Sequence, residues 1–434
     1  MKTEPCRFRG ASPTLAARLR SGLFAALCAL GGVGCAPESP DESGIEVGAL
    51  LPFTGELAAY GAAYERALIL ATETVNDAGG VAGRKVRLVA RDTHSETERG
   101  LDSARELLDM GVVNVIGPEE PELTLRMASL FADYDSVQIL PSSSSPRPGG
   151  RTPSADWFHI APGPRLLGCM IGTRLYLDGR ARVVIINEND PFLFELASNV
   201  ATHYNDLLKP GTDAYRRTAT VVPFQPDQEA YSALIDSVTN RDADALVLLG
   251  YPQSSAKIVA GWDVGGNGAP LYLSPTLESA AFRLNSPPGS LEGSLGIGVD
   301  VPDGGKAFAR KFAARWNGEE PMPMAYFYYD ALILWALAYE MAYAEVGGPP
   351  PSSIVEEHLV HVSKQGPNPV SWNEVKKGLE LAAAGEGIDY GGASGELDLS
   401  DDGELAIGSS ATFWRIRHDG VVEDAPGICA SSEP

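Results

Sequence analysis

The sequence predicts an α/β protein made of two doubly wound lobes. Short apolar strands alternate with amphipathic helices from residue 45 onward, and the alternation restarts after Pro162-Gly163-Pro164. Such alternation favours parallel sheets with helices on both faces. A chain of 434 residues is long enough to bury two cores.

The first unit is the most informative. Ile45, Val47, Ala49 and Leu50 form an apolar run suited to a buried parallel strand, and Thr54-Gly55 turns the chain. Ala63, Ala67, Leu70, Ala71, Thr74 and Val75 then keep helical spacing within Ala59–Asn76. Asn76-Asp77-Ala78-Gly79-Gly80 ends that helix, since glycine enters the left-handed conformation of a C-cap without steric cost. Lys85 to Arg91 alternates charged and apolar residues, as an outer strand does.

The same logic assigns a helix to Glu96–Met110 and strands to Val112–Ile116 and Val137–Leu140. In the second series it assigns strands to Val183–Asn187, Thr218–Val222, Ala245–Leu249 and Leu271–Leu273, with helices at Phe194–Leu208 and Tyr231–Asn240. Leu291 to Ile297 reads as a crossing back to the first lobe, followed by helices at Lys306–Trp316 and Tyr326–Val346. The last of these contains Asp330, Glu340 and Glu345 and lacks basic flanks, so it reads as a core helix and not a membrane span. Gly395 to Gly403 reads as a late hairpin and Thr412–Ile416 as the terminal strand.

Hydrophobic content of 44% with 21% charged residues is ordinary for a folded domain, but a net charge of −23 is not. Residues 1–34 hold five basic side chains and one acidic, so their removal leaves about −27. So acidic a surface repels nucleic acid and anionic membranes. Lys2, Arg7, Arg9, Arg18 and Arg20 form a basic n-region, and Ser21–Gly34 is too short to span a bilayer but suits a signal h-region. Gly32-Val33-Gly34-Cys35, followed by a polar tract, resembles a bacterial lipobox in which Cys35 is lipidated. Gly32 departs from the usual Leu, and a plain secretory signal cleaved near Gly34 is the alternative. Cys6 and Cys28 leave with the signal, which leaves Cys169 and Cys429 as a pair that an oxidising compartment would allow to bridge.

The wording of the first unit, L-P-F-T-G, then N-D-A-G-G-V-A-G, then R-D-T, resembles the opening of the Leu/Ile/Val-binding family of type I periplasmic binding proteins. The resemblance covers nearly the whole mature chain. It implies two Rossmann-like lobes joined by a three-stranded hinge: residues 1–34 as signal peptide, 35–44 as linker, 45–162 plus 296–405 as lobe 1, and 163–295 plus 406–429 as lobe 2. It also places Cys169 and Cys429 together in lobe 2. The implied protein is a monomeric, lipid-anchored solute-binding protein of the periplasm or cell envelope. It captures a small amino-acid-like solute between the lobes, without cofactor or metal, and delivers it to an ABC permease.

Site residues follow from the same resemblance. The family writes I-G-P-x-x-S-x-x-T after the third strand, where this chain has Ile116-Gly117-Pro118-Glu119-Glu120-Pro121-Glu122-Leu123-Thr124. Thr124 is retained, but Pro121 replaces the serine that takes the ligand carboxylate, and proline offers neither hydroxyl nor N–H. Ser142, Ser143 and Ser144, just beyond strand Val137–Leu140, match the loop that binds the same carboxylate. Tyr60, Phe192 and Tyr251 match ligand-facing aromatics, and Tyr326 joins that set. The acid that holds an α-ammonium falls at Thr276, with Glu278 two residues on. Loss of the serine and the acid removes roughly 3–6 kcal/mol, or about two to four decades of affinity, for an ordinary amino acid. The aromatic set remains suited to a flat or apolar solute, and the alternative is that some of these rings belong to lobe cores.

No phosphate loop, HExxH, GxSxG or CxxC motif is present, so nothing in the sequence points to an enzyme. His358 and His361 share a helical face but lack a third ligand. Pro118 and Pro121 around Glu119, Glu120 and Glu122 read as a turn with exposed carboxylates near the cleft mouth, where they would repel anions. A ligand sensor docking on a membrane receptor is the competing function on the same fold.

Overall fold

The computed structural model describes residues 44–429 apart from 56, 143–156, 209–216, 227, 265–267, 300–302, 365, 402, 406–410 and 419. The segment before residue 44, with Cys35, and the serines Ser143 and Ser144 lie outside the described residues.

The first series runs β1 (Ile45–Leu51), α1 (Ala58–Asp77), β2 (Val86–Asp92), α2 (Thr97–Asp109), β3 (Asn114–Ile116), α3 (Pro121–Phe131), β4 (Val137–Leu140) and β5 (Trp157–His159). Its strands form one sheet, in the order β2-β1-β3-β4-β5, and every pairing is parallel. Helices cover both faces, so β1 is a continuous apolar run in which Val47, Ala49, Leu50 and Leu51 are fully buried.

The second series runs α4 (Pro164–Leu177), β6 (Arg182–Glu188), α5 (Pro191–Asp206), β7 (Thr218–Phe224), α6 (Ser232–Thr239), β8 (Ala245–Leu249), α7 (Pro252–Val264), β9 (Leu271–Leu273), α8 (Ala280–Asn285) and β10 (Leu295–Val299). The chain continues through α9 (Asp303–Arg315), α10 (Ala325–Val346), α11 (Ser352–Ser363), β11 (Asn368–Ser371), α12 (Val375–Ala383), β12 (Ile388–Gly392), β13 (Gly395–Glu396), β14 (Ala411–Arg417) and β15 (Gly420–Pro426). The second sheet has the order β15-β14-β10-β9-β8-β6-β7, parallel from β10 to β7 and antiparallel at β14 and β15. β10 therefore belongs to the second sheet, and the chain leaves that sheet after β10, a few residues later than a crossing at Leu291–Ile297 would have it.

Helix α4 has no clear apolar stripe because nearly all of it is buried. Gly168 and Gly172 let α5 approach closely: a Cβ at Gly168 would lie 2.5 Å from Asn199 Cβ, and one at Gly172 would lie 3.0 Å from the Tyr204 nitrogen. Cys169, between these glycines, is bonded to Cys429 with a Cα–Cα distance of 5.2 Å. The disulfide ties the end of the described chain to the second lobe.

In the first lobe α10 is apolar on all sides and packs against α1, α11 and α12, the pattern of a helix enclosed in a core. Among the described residues no helix is long and apolar enough to cross a membrane. The single charge deep in α10, Asp330, is fully buried. It accepts hydrogen bonds from Tyr390 Oη at 2.8 Å, the Ala393 and Ser394 nitrogens at 2.9 and 2.8 Å, and Ser394 Oγ at 2.6 Å. These donors frame the tight β12–β13 hairpin, whose turn precedes Gly395 where the sequence reading put the start of the hairpin.

The Pro118–Glu122 segment corrects the reading of a turn with exposed carboxylates. Pro121 is the first residue of α3, a position where the missing N–H costs nothing and the fixed φ favours the helix. Glu120 at the cap is buried, Glu119 is half-buried, and only Glu122 is exposed.

Candidate ligand-binding cleft

Both parallel series share one topology. β1 lies between β2 and β3, and β6 lies between β7 and β8, so the strand order reverses at β1/β3 and again at β6/β8. In open α/β sheets the crevice beyond the carboxyl ends at such a reversal is where ligands bind. Tyr60 follows β1, Glu119 follows β3, Asp190 and Phe192 follow β6, and Tyr251 follows β8. The two crevices face one another, and α3 touches α5 across them.

In the first lobe, Tyr64 and Tyr328 stack with ring centroids 4.2 Å apart and planes 13° apart, and Tyr60 lies 6.0 Å from Tyr64. Ser142 Oγ is 3.0 Å from Tyr328 Oη. Burial raises the Glu119 carboxyl to about 7, and the nearby Glu120 charge adds to this, while hydrogen bonds from Ser142 and Tyr328 hold it back. Glu119 Oε2 is buried with no hydrogen-bond partner among the described residues. Glu120 is turned toward Thr93, whose Oγ1 donates to its Oε1.

Tyr251 is where the lobes meet electrically. Burial raises its phenol pKa first, and the charges of Asp190, Glu119 and Glu188 raise it further. Asp190 and Glu188 belong to the second lobe and Glu119 to the first. The Tyr251 nitrogen donates to Glu188 Oε2 at 3.0 Å. Asp190 caps α5 by accepting from the Leu193 nitrogen at 3.1 Å.

Of the residues expected from sequence, Tyr60, Ser142 and Tyr251 come together around Glu119. Phe192 is half-buried at the start of α5 and packs on the second lobe's core. Four others do not join that cluster. Tyr326 is a core residue with its ring centroid 5.0 Å from Phe308. Thr124 is fully buried, and its hydroxyl donates to the Glu120 carbonyl at 3.0 Å, one helical turn back. The Thr276 hydroxyl donates to the Gly250 carbonyl at 2.6 Å. Glu278 lies over Gly298 beside Trp414, where a Cβ at Gly298 would overlap its Oε2; burial raises its carboxyl to about 7. It is thus at the last parallel strand and not in the tyrosine cluster.

Sequence reasoning missed Tyr64, Tyr328 and the inward role of Glu119. The four-residue spacing of Tyr60 and Tyr64 on α1 was the available signal, since such residues share a helix face. His358 is buried beside Glu345, with Nε2 2.8 Å from Oε2. His203 Nε2 lies 3.0 Å from Thr173 Oγ1 and 3.3 Å from Cys169 Sγ, but that sulfur is committed to the disulfide. A separate cavity of about 200 Å³, lined by Arg174, Arg180 and Arg415 with Asp178 and Tyr272, opens near the amino ends of β9 and β10, away from the cleft.

Two doubly wound lobes enclosing a cleft between their strand reversals define the two-lobed binding-protein class. A family described as periplasmic binding protein matches residues 44–358, and the chain belongs to that family. The chemotactic signal transduction system substrate-binding protein BasB of Halobacterium salinarum is 26% identical over 372 residues, covering 82% of this chain and 83% of the relative. Leu/Ile/Val-binding protein homolog 1 of Brucella abortus is 27% identical over 164 residues, or 37% of this chain and 43% of the relative. Among solved structures, the branched-chain amino acid transporter substrate-binding protein LivJ of Streptococcus pneumoniae, in complex with isoleucine, matches with a TM-score of 0.67 and 21% identity. That match covers 88% of this chain and all of the other.

Proposed function

We propose that this chain is an extracytoplasmic solute-binding lipoprotein, anchored through Cys35, which captures a small solute between its lobes and presents it to an ABC-type importer. The observation that carries the reading is the meeting of two strand-reversal crevices, one lined by Tyr60, Tyr64, Tyr328 and Ser142 and the other by Tyr251. Closure around a solute favours one arrangement of the lobes, which a permease then recognises as occupied. A chemosensory role on the same fold is the second reading. It is favoured by BasB, whose similarity runs along 82% of this chain.

A solute screen by thermal shift, followed by calorimetry, tests the capture step. A true ligand at a hundred times its dissociation constant should add about 2.7 kcal/mol to stability. Tyr251→Ala should weaken that ligand tenfold or more, because one ring contact and its burial are lost. Failure of every solute to saturate at one per chain would reject the reading. For the anchor, mass spectrometry of the membrane-extracted protein should find diacylglycerol on Cys35 and none after Cys35→Ser; an unmodified soluble protein starting near residue 35 would establish the plain secretory form.

A further inference from the structure

Among the described residues the cleft's chemistry is one-sided. The described charges that act on Tyr60, Tyr64, Tyr251 and Tyr328 are all acidic: Glu119 on each of the four, Glu120 on Tyr328, and Asp190 and Glu188 on Tyr251. Glu120 itself faces Thr93 and the charge of Asp92, which is in turn held by His94. Basic side chains on the surrounding helices are engaged elsewhere: Arg66 on α1 with Glu319, Arg126 on α3 with Glu98, and Lys257 on α7 with the Gln228 carbonyl.

A carboxylate taken out of water needs a partner, and Glu119 presents a buried oxygen that has none among the described residues. Around it stand phenol rings, two of them, Tyr64 and Tyr328, almost fully buried and stacked. Ring faces attract cations through their quadrupole, by about 2 kcal/mol or more once the cation is desolvated. They offer nothing comparable to a carboxylate. A ligand carboxylate placed here would meet Glu119 as a like charge, whereas a cation would meet both a counter-ion and ring faces.

We propose that the cleft selects a small organic monocation, with Glu119 as its counter-ion and the partly exposed rings of Tyr60 and Tyr251 enclosing it, backed by the buried Tyr64–Tyr328 stack. The proposal rests on the solute-binding reading above and names the charge class of the solute. It also sets a pH dependence. A cation needs ionised Glu119, and with the carboxyl at about 7 the ionised share is about 0.9 at pH 8 and about 0.1 at pH 6. The apparent affinity therefore falls about tenfold on acidification.

Calorimetry on the full mature chain tests this with matched pairs: choline against its uncharged isostere 3,3-dimethylbutan-1-ol, and benzamidinium against benzoate. Isoleucine serves as the amino-acid control. None of the charged probes changes its net charge between pH 6 and pH 8. We expect at least one cation to saturate at one per chain at pH 8, tenfold or more tighter than its partner and about tenfold weaker at pH 6. Glu119→Gln should remove both the preference and the pH dependence while leaving the far-ultraviolet spectrum unchanged. Saturation by benzoate or isoleucine with both cations failing overturns the charge class and leaves the solute-binding reading standing. Cation binding that survives Glu119→Gln unchanged overturns the role of Glu119. If none of the five probes saturates, the charge class falls, and only the wider solute screen decides the binding reading.

Discussion

Asp330→Ala is expected to lower the unfolding free energy by about 3–5 kcal/mol. Asp330 is fully buried and accepts from Tyr390, Ala393 and Ser394. Alanine leaves the Tyr390 and Ser394 hydroxyls and two backbone N–H groups buried without that acceptor, at roughly 1–3 kcal/mol for each group that finds no other. Because these donors hold the β12–β13 hairpin onto α10, the loss propagates into the first lobe's core. Urea denaturation monitored by tryptophan fluorescence would measure it, and a change below 1 kcal/mol would contradict the central role given to this carboxylate. Burial raises its pKa from 3.8 to about 6, with the hydrogen bonds from Ser394, Ala393 and Tyr390 working the other way. The folded state therefore binds this proton more tightly than the unfolded chain does. The associated stability is present at low pH and is lost as pH rises through about 6. Relative to Asp330→Asn, which has no such titration, the native protein should lose ground between pH 4 and pH 7.

Reduction of the Cys169–Cys429 bond is expected to have the next largest effect, about 3–5 kcal/mol. The bonded residues are 260 positions apart, so the crosslink restricts much of the unfolded chain. It also retains the segment after β15, where Gly427 packs against Met170 and the Ala411 carbonyl. Guanidinium midpoints of the oxidised protein and of Cys169→Ser/Cys429→Ser should differ accordingly. Coincident curves would mean that the bond only pins a detachable tail.

Much of the fold was legible because buried parallel strands have to be apolar and short. β4, β8 and β9 coincide with the runs Val137–Leu140, Ala245–Leu249 and Leu271–Leu273. Helices α3, α4, α7, α8 and α12 were not legible in the sequence, two of them for clear physical reasons. α4 is buried on nearly every side and carries Gly168 and Gly172, so it shows neither an apolar stripe nor strong helix propensity. α3 escaped because Pro121 was read as a breaker when it opens the helix.

The cleft was half legible. Tyr60 and Tyr251 are set by their position after strands, which the pattern of the chain reveals. Tyr326 and Tyr328 are two residues apart on α10, nearly opposite one another around the helix axis, and α10 is apolar all round. Only the packing of α1 against it decides that Tyr328 meets Tyr64 while Tyr326 meets Phe308. Likewise Glu119 and Glu120 differ in the structure by what they face, one the tyrosines and the other Thr93, a distinction that adjacent identical letters cannot carry.

The strand order shared by the parallel parts of the two sheets gives each lobe its own corner of the cleft among the described residues. Rotating them apart therefore divides the grip on a solute without breaking either sheet. A solute held at micromolar strength by both corners, about 8 kcal/mol, would keep only about 4 kcal/mol if the corners contribute equally, which is millimolar. Release thus needs no chemistry and no rearrangement within a lobe: prising the jaws apart by a modest angle is enough to let go of the cargo.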